Sequence, residues 1–185
     1  MKLLDMMLHR RSVRQYIPGE IPEEALTKIL QAGMLSASGR ALRPWELIVI
    51  RNPNTLQVLS SCRTAPVKML QAAACAIAVV ADGTKSDLWV EDCSIVMANM
   101  HLMADSLGLG SCWVHGRLRE AADGRSTEEF VRDILKYPET HHLEAILALG
   151  VIDSHPAPHE LENLPMDKVQ YETFCILKKQ EDFLT

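Results

Sequence analysis

The sequence predicts a mixed α/β layer fold, one sheet flanked by helices. Three observations carry that reading. Apolar, strand-length runs recur at 47–50, 75–81, 111–114 and 143–151. Between them, apolar residues return at helical spacing, so whole segments bury one face. Helices and strands alternate irregularly, with no internal repeat and no low-complexity tract, so one layered unit is expected rather than an array.

Taken in order, Leu3, Leu4, Met7 and Leu8 suggest a short first helix. Ile21-Pro22-Glu23-Glu24 opens a second: proline suits a helix start and acidic residues suit its dipole. Leu26, Ile29, Leu30, Gly33 and Met34 continue it with one buried face. It loosens at Ser36-Ala37-Ser38-Gly39, which reads either as a turn that lets a flat ligand approach the backbone or as a glycine C-cap. Leu47-Ile48-Val49-Ile50 is a central strand. Asn52-Pro53-Asn54 reads as a turn and 55–62 as a short helix. Residues 75–81 form a second buried strand, ended by Asp82-Gly83.

Residues 88–107 are the longest helix, apolar on most of their surface, with Val90, Cys93, Val96, Met97, Met100, Met103, Ala104 and Leu107 at helical spacing. Such a helix belongs in a core or a dimer interface, and its methionines read as packing. Ser111-Cys112-Trp113-Val114 is a third strand, ending at His115-Gly116-Arg117. Ser126-Thr127-Glu128-Glu129 is a capping box for a helix to Leu135. Residues 143–151 are the last core strand. Beyond them the chain is punctuated by proline and reads as an arm that wraps over other structure, with a final strand at 169–176 and a frayed end at 178–185. The expected organisation is a single domain over 1–185, with 153–185 as its extended C-terminal arm.

Composition removes several classes of function. The chain has 185 residues, 48% hydrophobic and 23% charged, with net charge -5, ordinary for a globular protein with one sizeable core. It lacks the broad basic face that nucleic acid requires. Five cysteines never form a Cys-x-x-Cys pair, so buried free thiols in a cytoplasmic protein are expected rather than disulfides or zinc. The N-terminal apolar residues, broken by Asp5 and His9, do not read as a signal peptide. The run 69–81 is too short to span a bilayer. His141, His142, His155 and His159 lie among loops and prolines with no carboxylate at ligand spacing, so no metal is expected. Cys112 reads as a packed core cysteine. No Walker loop, Gly-x-Gly-x-x-Gly or nucleophile elbow occurs.

What remains is dispersed cations and small residues. Arg10-Arg11-Ser12-Val13-Arg14 puts three forked guanidiniums and a hydroxyl within five residues. Guanidiniums suit phosphate or an electron-rich ring edge. The stretch reads either as an anion-wrapping segment or as a solvated basic patch. If the preceding segment of Leu3, Leu4, Met7 and Leu8 is helical, the arginines sit at its C-terminal end and beyond, with residues 10 and 14 on one side and 11 and 12 turned away. A chain without the side chains of a self-sufficient hydrolase fits a protein whose cofactor carries the chemistry.

Arg10-Arg11-Ser12-Val13-Arg14 closely resembles the opening of the FMN-dependent nitroreductase family. The run from Ser36 through Ser38-Gly39 to Pro44-Trp45-Glu46 resembles its second signature. Asn99-Met100 with Gly108-Leu109-Gly110-Ser111-Cys112-Trp113 resembles its third, and Ala145-Ile146-Leu147-Ala148-Leu149-Gly150 its fourth. The four lie in family order and span most of the chain.

The resemblance implies an α+β sandwich, a mostly antiparallel central sheet flanked by helices, in an intertwined homodimer with FMN at the subunit interface. It implies that Arg10, Ser12 and Arg14 hold the phosphate, ribityl chain and pyrimidine edge, with Arg11 acting mainly through its backbone. Ser38 and Gly39 would approach FMN from the partner subunit, and Lys68 would stand near N1 and the C2 carbonyl. Trp113, Val114, His115 and Gly116 would line the ring near N5. The implied activity is ping-pong transfer of reducing equivalents from NADH or NADPH to nitro compounds, quinones or a similar small acceptor, with no strictly catalytic side chain, metal, nucleic acid or membrane. A flavin carrier, a redox sensor, or a specialised branch such as reductive dehalogenation are the alternatives. The sequence departs from the family at two places. Ala41 stands where many members have asparagine, and Asn163, beside Glu162, where many have a basic arm residue, with Lys168 the nearest cation. Phosphate binding would then rest more heavily on Arg10.

Overall fold

Four strands make one sheet in the order β1-β2-β4-β3, in a computed structural model that describes residues 2–174. They are β1 (Trp45–Ile50), β2 (Cys75–Asp82), β3 (Gly110–His115) and β4 (His141–Gly150). Every pairing is antiparallel, as expected of an α+β sheet. The side chains of β2 alternate between two cores. Cys75, Ile77, Val79 and Ala81 face one; Ala76, Ala78 and Val80 face the other. This two-residue alternation is what lets one apolar run serve both layers.

Helices α2 (Glu23–Met34) and α5 (Trp89–Ser106) cover the first face. Leu26 and Ile29 of α2 pack there with Val96, Met97 and Met100 of α5. Each such burial contributes roughly 1.5–3 kcal/mol before entropy is subtracted. Helix α3 (Pro53–Leu59), the short α4 (Lys68–Ala72) and α6 (Thr127–Leu135) cover the second. Ser126 caps α6 as its sequence predicts: its hydroxyl accepts from the Glu129 amide at 3.1 Å, and Glu129 accepts from the Ser126 amide at 3.1 Å.

Asn52-Pro53-Asn54 is not a free turn. Asn52 is the N-cap of α3, its side chain accepting from the Asn54 amide at 2.9 Å, and Pro53 opens the helix. Proline at a helix start and proline in a turn look alike in sequence. The helix therefore begins at Pro53 and ends at Leu59. The final strand expected at 169–176 is also absent from its described part, since residues 169–174 have no strand partner. Residues 175 and 176, and the end expected to fray at 178–185, lie outside the described residues.

The N-terminal helix α1 (Leu3–His9) stops before the arginines. Residues 10–16 run extended along the far edge of the sheet. The Val13 amide donates to the Ser111 carbonyl at 2.9 Å and the Ile17 amide to the Val151 carbonyl at 2.9 Å. Two glycines paired across β3 and β4, Gly110 and Gly150, make room for this docking. A Cβ on Gly150 would lie 2.4 Å from Cγ of Tyr16, and one on Gly110 would lie 3.1 Å from the same ring. Tyr16 fills the gap, and its hydroxyl donates to the Ala148 carbonyl at 3.2 Å.

The arm returns over α1. The His159 amide donates to the Leu8 carbonyl at 2.8 Å, and Arg11 donates to the Ala157 carbonyl. From Glu160 to Phe174 every residue is exposed in the single chain, including Leu161, Met166, Tyr171 and Phe174.

Candidate functional site

Because residues 10–16 are extended, Ser12 shares a side with Arg14 instead of turning away as expected. Ser12 and Arg14 border one cavity of about 350 Å³, and Val13 between them is buried. Ser154, His155 and Pro156 of the arm form its opposite wall. Arg14 also borders a second cavity of about 400 Å³, together with Arg63, Pro66 and Lys68. The two cavities therefore adjoin at Arg14. Lys68 reaches its place at the start of α4. Among the described residues, no hydrogen bond or ion pair fixes the side chain of Arg14 or Lys68, so their N–H donors remain for a ligand.

The end of β3 joins the second cavity through Arg63, whose guanidinium donates to the His115 carbonyl at 2.9 Å. Trp113 leans on the α5 core and Val114 on the opposite one, so the two side chains part across the sheet. The Gly116 amide donates to the Glu144 carbonyl at 3.0 Å. A Cβ at Gly116 would meet Cδ2 of the buried Leu143 at 2.6 Å, so a larger residue there would have to displace that side chain. Burial, with Arg119, Arg63 and Arg117 nearby, holds the His115 imidazole below its ordinary range. The neighbourhood is thus rich in fixed positive charge, with a neutral imidazole among it. Glu144 is the extra residue of a bulge between β2 and β4. Burial raises its carboxyl, against the opposing pull of Arg117 and the Ser94 hydroxyl.

Arg10 goes elsewhere. Its guanidinium donates to Nε2 of His101 on α5 at 2.8 Å. His101 Nδ1 lies 2.5 Å from the Ser111 hydroxyl. Burial, and then the Arg10 charge, push the His101 imidazole down to about 4. One turn further along α5, Asp105 accepts from His9 Nδ1 at 2.7 Å and from His155 Nε2 at 2.8 Å. The sequence places no carboxylate at ligand spacing from His155, and the fold supplies Asp105 from a distant helix. The ligand atoms of His9, Asp105 and His155 lie within 4.8 Å of one another. The two imidazoles stack at 4.1 Å and each donates to its own carboxylate oxygen, so the three groups hold one another directly.

Ser38 and Gly39 are not brought to either cavity. The Gly39 amide donates to Asp92 at 2.8 Å, and the Ser38 hydroxyl accepts from the Arg43 amide at 3.1 Å. Asp92 and His101 are nine residues apart on α5, about 13 Å along its axis. The Gly39 end of the turn and the arginine segment therefore attach at well-separated points of one helix. Asn99 joins the turn to mid-helix by donating to Ser36 at 2.9 Å. Ala41 and Arg43 are backbone-strained, with φ of 56° and 46°. Asn163, in the arm, donates to Glu160 at 2.7 Å.

Sequence reasoning missed Arg63, His101 and Asp105. For the last two a signal exists: polar side chains four apart in a helix that is otherwise apolar nearly all round. Arg63 offers none, since an arginine before Ala65-Pro66 looks like any loop residue. Cys112 is buried as expected, and burial raises its thiol.

A sheet of this topology, an arginine segment docked at its edge and a cation-lined double cavity define a class. The model of the nitroreductase family matches residues 7–82 and 57–151, and the chain belongs to that family of oxidoreductases. It is 36% identical over 151 residues to a protein of Archaeoglobus fulgidus provisionally named NADH dehydrogenase/NAD(P)H nitroreductase, covering 80% of this chain and 83% of that one. A protein of the same provisional name from Methanothermobacter thermautotrophicus is 33% identical over 165 residues, with 87% and 83% covered. Among solved structures, an FMN-dependent nitroreductase from Clostridium difficile R20291 matches with a TM-score of 0.89 and 36% identity, covering 93% of this chain and 100% of that chain. The family and fold that the sequence resembles are therefore its own. Among the described residues no helix is long and apolar enough to cross a membrane.

Proposed function

We propose that the protein is an FMN-dependent NAD(P)H oxidoreductase that reduces nitro compounds, quinones or a similar small acceptor, working as a homodimer by a ping-pong mechanism. The observation that carries this reading is the pair of cavities joined at Arg14. One has three cations, Arg14, Arg63 and Lys68, on its border; the other has Arg14 again with the hydroxyls of Ser12 and Ser154. A flat ring with an electron-rich edge, continuing into a polyol and a phosphate, fits that sequence of surfaces. The name of the Clostridium difficile relative supports FMN, and the names of the archaeal relatives support NAD(P)H.

Bound FMN supplies hydride acceptance and release. The chain supplies the rest. Arg14 and Lys68 would set positive charge against the electron-rich edge of the ring, where fixed cations favour its reduced form. Ser12 would orient the polyol, Arg10, held on α5 beside the two cavities rather than on their borders, would reach for the phosphate, and Arg11 ties the segment to the arm. The strand end Trp113, Val114, His115 and Gly116 offers backbone and a neutral imidazole beside the ring. Ser38 and Gly39, far along α5, serve the site of the second copy. The exposed apolar arm and the exposed Leu3, Leu4 and Met7 of α1 support a dimer in which they are covered.

An absorption spectrum with added FMN, followed anaerobically by NADH and then NADPH, tests the reading. A protein-bound flavin band that bleaches supports it. A bound band that never bleaches replaces it with a carrier or sensor, and no bound band defeats it. Arg14→Ala and Lys68→Ala are each expected to lower flavin-dependent turnover by at least about tenfold, from lost charge-assisted contacts. Full activity in both variants would reject the site assignment.

A further inference from the structure

We propose that His101 is a positioning residue for Arg10, and that through it α5 makes the cleft select a phosphate-bearing flavin over a neutral one. The inference rests on the flavin reading above and adds a residue to it. A guanidinium has only donors. With Arg10 Nη1 at 2.8 Å, Nε2 of His101 must present its lone pair. The ring proton is then on Nδ1, where the Ser111 hydroxyl oxygen at 2.5 Å accepts it. One neutral tautomer satisfies both contacts. Both His101 and Ser111 are buried, so water does not compete for either.

The choice of partner matters for what Arg10 can do. A carboxylate would hold the guanidinium but would also neutralise it. Asp105 stands one turn away and takes His9 and His155 instead. Among the described residues Arg10 makes no ion pair. Neutral His101 fixes the direction of Arg10 through one of its five donors and leaves its charge and remaining donors for an anion. Ser111 fixes the same segment twice: its hydroxyl through His101, and its carbonyl through the Val13 amide at 2.9 Å. An immobilised guanidinium loses less side-chain freedom when it binds phosphate, which raises affinity for the ligand that carries one. This anchor also supplies what the arm lacks at Asn163, which is engaged with Glu160.

The test compares FMN with riboflavin, which differ only by the phosphate. Flavin fluorescence titrations of flavin-free protein give both dissociation constants for the wild type and for Arg10→Ala, His101→Phe, His101→Gln and His101→Asn. Arg10→Ala is expected to weaken FMN by more than about tenfold and riboflavin little. His101→Phe, which keeps the bulk and removes the acceptor, is expected to weaken FMN by about tenfold and spare riboflavin. His101→Gln places a carbonyl near the Nε2 position and is expected to recover FMN binding to within about threefold. His101→Asn reaches only the Nδ1 position and is not expected to recover it. If His101→Phe does not fold, the Gln and Asn pair carries the test by itself. Equal loss of FMN and riboflavin in the His101 variants, or unchanged FMN binding in them while Arg10→Ala discriminates, overturns the inference and leaves the flavin reading standing. An Arg10→Ala protein that treats FMN and riboflavin alike overturns the inference together with the placement of phosphate at Arg10.

Discussion

The arginine segment at 10–17 and the turn at 36–43 are the two stretches that the sequence offers, each beside a bland alternative, as places where a ligand could meet the chain. The fold treats them differently. The segment is bonded along its length to its own chain: Val13 to Ser111, Ile17 to Val151, Tyr16 against two glycines, Arg10 onto a buried histidine. The turn is tied mainly through side chains, by Asp92, Asn99, Asp87 and its own Ser38, and three of its residues, Arg40, Ala41 and Arg43, have left-handed backbone. Left-handed geometry in non-glycine residues costs on the order of 1 kcal/mol each and persists where surroundings enforce it. One region is thus completed within the chain. The other is tied to α5 through side chains and leaves its strained backbone at 40–43 exposed in the single chain.

Acid should separate the two most strongly. Folding favours neutral His101, whose imidazole moves from 6.5 down to about 4. The unfolded chain therefore binds this proton more readily, so stability falls as the pH drops from about 6.5 to about 4, and below that the loss is complete. The full loss is on the order of 3 kcal/mol. Arg10 and Asp105 face this ring from opposite signs, Arg10 lowering and Asp105 raising it. The turn contains no histidine. Urea unfolding of wild type and His101→Gln at pH 7 and pH 4.5 measures the effect, with a steeper loss expected in the wild type. Parallel losses would mean that His101 is not the group that titrates.

Gly150→Ala attacks the same segment sterically. The new Cβ would stand 2.4 Å from Tyr16, whose ring is also confined at Gly110. Overpacking of this kind costs about 1–3 kcal/mol. The urea midpoint should fall, and hydrogen exchange should speed at the Val13 and Ile17 amides while the 36–43 turn is unchanged. An unchanged midpoint would show that Tyr16 can move aside and that the glycine pair does not set the docking.

The legibility of the two regions follows from the range of the forces that build them. Strand runs and the α6 cap are local, written in period and in residues three apart, and they are where the sequence says. Ser12, Arg14 and Lys68 were identified through family resemblance, and the fold gathers them around adjoining cavities. The extended backbone of residues 10–16 has no local signal, because it depends on Gly110 and Gly150 pairing about forty positions apart across two strands. Arg63 and His101 were missed for the same reason. What they do is defined by a carbonyl on β3 and by a guanidinium ninety-one residues away, and no local pattern encodes that.

The smallest expected effect lies in the turn. Ala41 has φ of 56°, a region that asparagine tolerates better than alanine. Ala41→Asn should therefore stabilise the flavin-free protein by a few tenths up to about 1 kcal/mol, read as a rise in thermal midpoint of a few degrees. Asparagine also brings donors and an acceptor that alanine lacks. If the turn serves the neighbouring copy, FMN affinity should rise as well, and only at protein concentrations where the dimer is populated. A gain in stability with no concentration-dependent gain in affinity would leave the strain relieved but the turn without a ligand. The contrast between the two regions would then be one of backbone geometry alone.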